Sequence, residues 1–549
     1  MDTRIFASLL FLFLLFIHRL DAQPGGSIDP LIPLQQNRSV LFEKDIVIHD
    51  QPIQNQRKVT IRSAFNGWLY AGYSYIDDVY HYPSITILKS IDNGITWTLF
   101  VDMHQPFDNS YIGSFDITVC GDSNSNIKLF LAFGIVVEGS AGGIGDGHVL
   151  RFNGSTGVYE DEVQPPLFSA INVSLASDCM FPAINSNPYS LGCLYSSHYY
   201  LNNTDSIIFR SSDNGGMYFD NQRVLAGTGE KFRKVALTYG RGLSTNSGQY
   251  FAVWEEKNTL SSNTGHIFTA YSDPDFNSPF TTPEMLDSLD PTAYNNARNP
   301  SIACQYNNID NDSSNLTEIV LFDKYLPSSN SYDIQGCYNM KSTINSHFIP
   351  FSLGSSSESR MEPSISFNPF DSTFIVTYYN STSQQLPFLR KNFNMINPDS
   401  WQVITPGYND SSNLIDPYPI VALNIGQKQG VMAWTSEGTD GNGISLFDAP
   451  YLITGISKTD NNAFTNFFMA YPNPCSTSLK VAFQLARSEI VTITLYNLIG
   501  QSSITITNQI YRDGKYIINH DVSILPPGSY LLSCRTETTL STRKLLIIR

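Results

Sequence analysis

One feature limits the fold more than any other: between residues 38 and 455 the chain returns seven times to the same unit. Each unit has a short apolar strand, a turn, and a second strand rich in aromatics. The copies open at Lys58-Val-Thr-Ile-Arg62, Asp116-Ile-Thr-Val, Phe181-Pro-Ala-Ile184, Lys234-Val-Ala-Leu237, Asn299-Pro-Ser-Ile-Ala303, Glu362-Pro-Ser-Ile365 and Tyr418-Pro-Ile-Val421. Their second strands include Gly67-Trp-Leu-Tyr-Ala-Gly-Tyr73, Tyr250-Phe-Ala-Val-Trp254 and Gly430-Val-Met-Ala-Trp434. Successive copies start 53–65 residues apart, which is room for four strands and their turns, the size of a propeller blade. The last copy runs short after Ile444-Ser-Leu-Phe447, and Ser39–Ile48 contains apolar segments able to supply its missing outer strand. Such a closure hides the sheet edges that an open array would expose. The expected fold is all-β, a propeller of about seven blades over residues 23–455, with six and eight blades left open.

Composition agrees with this class. Hydrophobic residues make up 42% and charged residues 15%, so a large core can form and the chain is not disordered. The net charge of −16 argues against nucleic acid and anionic lipid as partners, since both are held by Lys and Arg. Residues 1–22 read as a signal peptide, with Arg4 ahead of an apolar stretch from Ala7 to Ile17 and a small residue, Ala22, at its end. No later segment has 18 consecutive apolar residues, so no transmembrane segment is expected in the mature chain. None of the seven cysteines forms a CxxC pair. Cys179/Cys193, Cys304/Cys337 and Cys475/Cys534 are possible bridges in an exported protein, and buried free thiols are the equal alternative. No metal site and no cofactor is expected.

After a linker at 456–465, residues 466–549 differ from the body. Tyr471-Pro472-Asn473-Pro474 opens a series of alternating strands, from Leu479-Lys-Val-Ala-Phe-Gln-Leu485 through Pro527-Gly528-Ser529-Tyr530 to Lys544-Leu-Leu-Ile-Ile-Arg549. Alternation and turn spacing predict a small antiparallel sandwich. The same order of motifs, with Tyr471 to Pro474, Gly528, Tyr530 and Lys544, resembles the type A C-terminal sorting domain of the bacterial type IX secretion system. That resemblance implies a Bacteroidetes-type bacterium. It further implies Sec export, passage across the outer membrane by the type IX machinery, and a final location in the medium or on the cell surface.

Within the first unit, Ser90-Ile-Asp92-Asn-Gly94-Ile-Thr96-Trp97 fits S-x-D-x-G-x-T-W. A degenerate copy is read at Ser211-Ser-Asp213-Asn-Gly215. These resemble the Asp-box turns of sialidase-like propellers. There the aspartate accepts turn N–H groups, glycine takes the positive φ, and the role is structural. A sialidase-like site would hold a substrate carboxylate with three arginines, and Arg62, Arg298 and Arg360 lie at or next to inner strands. Glu255 beside Glu256 is the candidate catalytic carboxylate. The R-I-P motif of such enzymes reads Ile61-Arg62-Ser63-Ala64 here. The sequence therefore points first to an exported propeller binding an extracellular glycan or protein. A sialidase-like exo-glycosidase is the alternative.

Overall fold

The computed structural model describes residues 45–448 and 468–548. It leaves out 50–54, 77–81, 105–109, 122–123, 125, 138–143, 178–189, 200–203, 228–230, 242–247, 258–264, 273–279, 288–295, 306–316, 341–347, 354–357, 371, 393–400, 406–413, 415–416 and 438–442 from the first span, and 472, 474, 486–488, 498–501, 513 and 537–539 from the second. The signal peptide, the linker, Pro472, Pro474, Cys179 and Phe181–Ile184 lie outside the described residues. No helix among the described residues is long and apolar enough to cross a membrane.

The larger unit, which ends at Tyr451, contains seven four-stranded antiparallel sheets among its described residues. Each sheet is a simple meander, so its first strand is the inner one. The inner strands of blades 1–7 are Arg57–Ser63, Ser110–Cys120, Ala170–Ser177, Lys231–Arg241, Ala297–Cys304, Arg360–Asn368 and Ile420–Asn424. Each packs on the inner strands of both neighbours, and blade 7 packs on blade 1. The ring closes as expected. Ile46–His49 pairs with Gly443–Asp448 and becomes the outer strand of blade 7. The strand of blade 3 is a correction, because its inner strand is Ala170–Ser177 rather than Phe181–Ile184.

The second strands are apolar runs because both of their faces are buried between blades. Trp254, Trp434, Tyr250 and Phe322 are fully buried there. The inner strands carry fewer large residues, since one of their faces borders the central channel. Polar groups on that face tie blade to blade. Leu175 N–H donates to Asp116 Oδ2 at 2.9 Å, Leu237 N–H to Ser174 Oγ at 3.1 Å, Ile365 N–H to Ser301 Oγ at 3.2 Å and Val421 N–H to Ser364 Oγ at 3.0 Å. Asp116, Ser174, Ser301 and Ser364 hold one position of the repeat, so blades 2, 3, 5 and 6 each offer an acceptor to the next. A buried bond of this kind contributes about 1 kcal/mol net, and leaving its donor unpaired costs more.

The smaller unit contains two sheets over Phe468–Ile547, one of three strands and one of four, around a shared core that includes Leu479, Val481, Ile493, Leu532 and Leu545. Asn473 fixes its entry, donating to Lys544 O at 2.9 Å and accepting Leu546 N–H at 2.8 Å. Tyr530 caps a turn through Oη to Pro526 O at 2.9 Å, and Gly528 precedes it with φ 157°. The six described cysteines are buried free thiols, so no pairing of Cys304 with Cys337 or of Cys475 with Cys534 is present. Burial raises the Cys337 thiol to about 12 and the Cys534 thiol to about 11.

Candidate functional site

The inner strands surround a cavity of about 1100 Å³, lined by all seven blades. Each inner strand from blade 1 to blade 6 has a register break at its entry, a bulge that turns the next side chain. Lys58, Asn299, Glu362 and Tyr418 sit at this position with φ of 52°, 53°, 56° and 39°. Left-handed backbone is unfavourable for residues with a side chain, and it is retained where surrounding structure holds it. Here neighbouring blades do so. Asn299 N–H donates to Glu255 Oε2 at 3.2 Å, Glu362 N–H to Asp323 Oδ1 at 2.7 Å and Tyr418 N–H to Glu362 Oε2 at 3.1 Å. Ser114, Asn172 and Lys234 occupy the same repeat position in blades 2, 3 and 4, and all seven residues line the cavity.

Five cations (Lys58, Arg62, Lys234, Lys257 and Arg298) and four carboxylates (Asp116, Asp205, Glu255 and Glu362) line the cavity. With Asp323 behind Arg298, the described cations and carboxylates about the channel balance, inside a chain of net charge −16. Arg62 Nη2 lies 2.8 Å from Asp116 Oδ1. Arg298 Nε lies 3.2 Å from Asp323 Oδ2, with its guanidinium 3.7 Å from the centre of the Tyr332 ring. Lys257 Nζ lies 3.2 Å from Glu255 Oε1. His198 pairs with Asp205 through Nδ1 at 2.5 Å, and its buried Nε2 makes no hydrogen bond. Asp323 is fully buried behind Arg298 and Asn299. Burial raises its carboxyl to about 6, against the hydrogen bond from Asn299 and the charges of Arg298 and Lys234.

The three arginines read from the sequence do not form a clamp. Arg62 lies five repeat positions beyond Arg298, roughly 15 Å along a strand. Arg360 does not line the cavity; it is buried, with Nε 2.7 Å from Asp333 Oδ1. Each arginine answers a carboxylate of its own. Glu255 likewise is no free acid, since it holds Lys257 and the Asn299 N–H.

The turn at Ser90–Trp97 is built as its residues suggest. Asp92 Oδ1 accepts Ser90 Oγ–H at 2.8 Å and Thr96 N–H at 2.9 Å, and Oδ2 accepts Thr96 Oγ1–H at 2.6 Å. Burial pushes this carboxyl up, but bonds from Thr96 and Ser90 outweigh it and hold it below the ordinary range. Gly94 has φ 89°, and a Cβ there would meet the Phe447 ring at 2.1 Å, beneath which Trp97 packs edge-on at 5.4 Å. The second turn is shifted by one residue from the Ser211-Asp213-Gly215 reading. Ser212 Oγ accepts Gly216 N–H at 3.1 Å, and Asn214 Oδ1 accepts Met217 N–H at 2.8 Å and Tyr218 N–H at 3.2 Å. Gly216 meets Phe130 as Gly94 meets Phe447. Asn214 therefore takes the place that Asp92 holds in blade 1.

Comparison with known proteins bears on the two units differently. Residues 469–549 match the family model described as a secretion system C-terminal sorting domain. No curated protein sequence matches the chain. Among solved structures, a protein of unknown function from Dyadobacter fermentans is 12% identical, with 74% of this chain and 98% of that one covered and a TM-score of 0.39. The α-L-arabinanase of Penicillium chrysogenum is 11% identical over 74% of this chain and 97% of that one, with a TM-score of 0.38. The NanB sialidase of Streptococcus pneumoniae is 12% identical over 75% and 71%, with a TM-score of 0.39. The chain thus carries a secretion sorting domain behind an all-β propeller.

Proposed function

We propose that the protein is cargo of the type IX secretion system whose propeller binds an extracellular glycan in its central channel. One observation carries the binding reading. The cavity is roomy and lined by polar and apolar groups alike, yet its described carboxylates are committed to neighbouring blades or to cations. Glycoside hydrolysis by the usual route needs one carboxyl to deliver a proton and a second to attack or to activate water. Carboxylates locked into the blade joints serve the scaffold instead, and the remaining described channel groups are hydrogen-bonding, cationic or apolar. Tyr418, about a third exposed, offers a ring face to a sugar. The Ser90–Trp97 and Ser212–Phe219 turns belong to the scaffold in this reading, as Asp-box turns that pin glycine against a neighbouring blade.

A glycan array probed with the exported chain, run beside a panel of fluorogenic glycosides, tests the proposal. Binding without turnover is expected. Turnover of any glycoside would replace the binding reading with the exo-glycosidase one, and silence on the array would remove glycans as the ligand class.

A further inference from the structure

Lys58 and Lys234 stand apart from the other cations of the cavity. Arg62, Lys257 and Arg298 each have a carboxylate within 3.2 Å. Among the described residues, neither Lys58 nor Lys234 has an ion-pair partner. Lys58 Nζ donates to the Gly113 carbonyl of blade 2, and the charge of Lys234 acts on the buried Asp323 carboxyl. The two ammonium groups repel each other. Burial first, then Lys234 and Arg57, lowers Lys58 to about 8. Both occupy the bulge position of the repeat, on blades 1 and 4, with Ser114 and Asn172 on the arc between them. Glu362 lies on the other arc, between Asn299 and Tyr418, where its carboxylate is turned to the Tyr418 N–H.

Two like charges facing a partly enclosed cavity from blades 1 and 4, neither in an ion pair among the described residues, are costly, and a bound anion lowers the cost. Lysine is a compact point charge with rotatable donors, suited to a carboxylate or a sulfate ester without demanding the planar geometry an arginine fork selects. We propose that Lys58 and Lys234 form an anion subsite of the channel, which takes the carboxylate or sulfate group of an acidic oligosaccharide while Tyr418 faces a sugar ring. This rests on the channel-binding reading and gives it a ligand class.

The test is titration calorimetry on the full chain with trigalacturonate, its fully methyl-esterified neutral form, and a sulfated carrageenan tetrasaccharide with its desulfated counterpart. An acidic sugar is expected to bind about tenfold or more tightly than its neutral form, with affinity falling as salt is raised. The two acidic probes distinguish carboxylate from sulfate as the preferred group. Lys234→Gln, which breaks no ion pair among the described residues, is expected to bring acidic binding down to the neutral level in a chain that still unfolds cooperatively. Lys58→Gln serves as the second variant if it too unfolds cooperatively. Equal affinity for acidic and neutral forms, or full acidic preference in Lys234→Gln, would overturn the subsite and leave channel binding standing. No binding of any of the four sugars would overturn both.

Discussion

Replacing Asn214 or Asp213 by alanine separates two readings of one turn. Asn214 Oδ1 accepts two backbone N–H groups and the Ser212 hydroxyl at 2.8 Å, and its Nδ2 donates to both oxygens of Asp220 at 3.1 and 3.0 Å. Met217 and Tyr218 are exposed, so water recovers part of what is lost. At about 1 kcal/mol per bond before that recovery, Asn214→Ala is expected to cost about 2 kcal/mol. Asp213 instead faces the like charge of Asp220. Burial first and Asp220 second raise its carboxyl, against a hydrogen bond from Ser190. Asp213→Ala is expected to change stability by less than about 0.5 kcal/mol. Urea unfolding of the propeller transition reads the difference as a midpoint shift at constant slope. An equal loss in both variants, or a silent Asn214→Ala, would refute the shifted register.

Other outcomes are equally concrete. Asp92→Ala removes three turn bonds at a partly exposed site, and a loss of about 1–2 kcal/mol is expected in the same unfolding assay. His148 is buried, which disfavours its charge, but Glu162 at 2.7 Å and Asp146 at 3.6 Å outweigh this and raise it to about 9. Its contribution is present in full below the unfolded value of 6.5 and is lost as pH rises through 9, so melting temperature should fall across that window and fall less in His148→Gln. Deleting residues 466–549 is expected to leave the propeller folded and hold it within the cell envelope; normal export, read by cell fractionation, would contradict the sorting role.

Much of the fold was legible because second strands buried on both faces must be apolar throughout, as Tyr250–Trp254 and Gly430–Trp434 are. The closing strand Ile46–His49 was legible from the shortfall of the last repeat. The inner strand of blade 3, Ala170–Ser177, was missed although Ile171, Val173 and Leu175 alternate there with Asn172, Ser174 and Ala176, because the run is short of the aromatics that mark its neighbours. In the second turn, the doublets Ser211-Ser212 and Gly215-Gly216 fit two registers, and only the hydrogen bonds choose between them.

The site was less legible, since its pairings join residues on different strands. Arg62 meets Asp116 from the next blade, and Arg360 meets Asp333 from the one before. Arginine positions alone therefore suggested a convergence that their carboxylates dissolve. The signal for Lys58 and Lys234 was present, however. Both open their repeat copies, in register with Asn299, Glu362 and Tyr418. One position recurring at the head of every inner strand is where a propeller concentrates side chains on its axis.

The measurement that bears most directly on the account is a structure of the full chain with the oligosaccharide that binds best on the array. The account predicts the sugar inside the channel, in contact with the bulge residues at the heads of the inner strands. A sugar seated on the outer strands of the blades, or on the C-terminal unit, would contradict it.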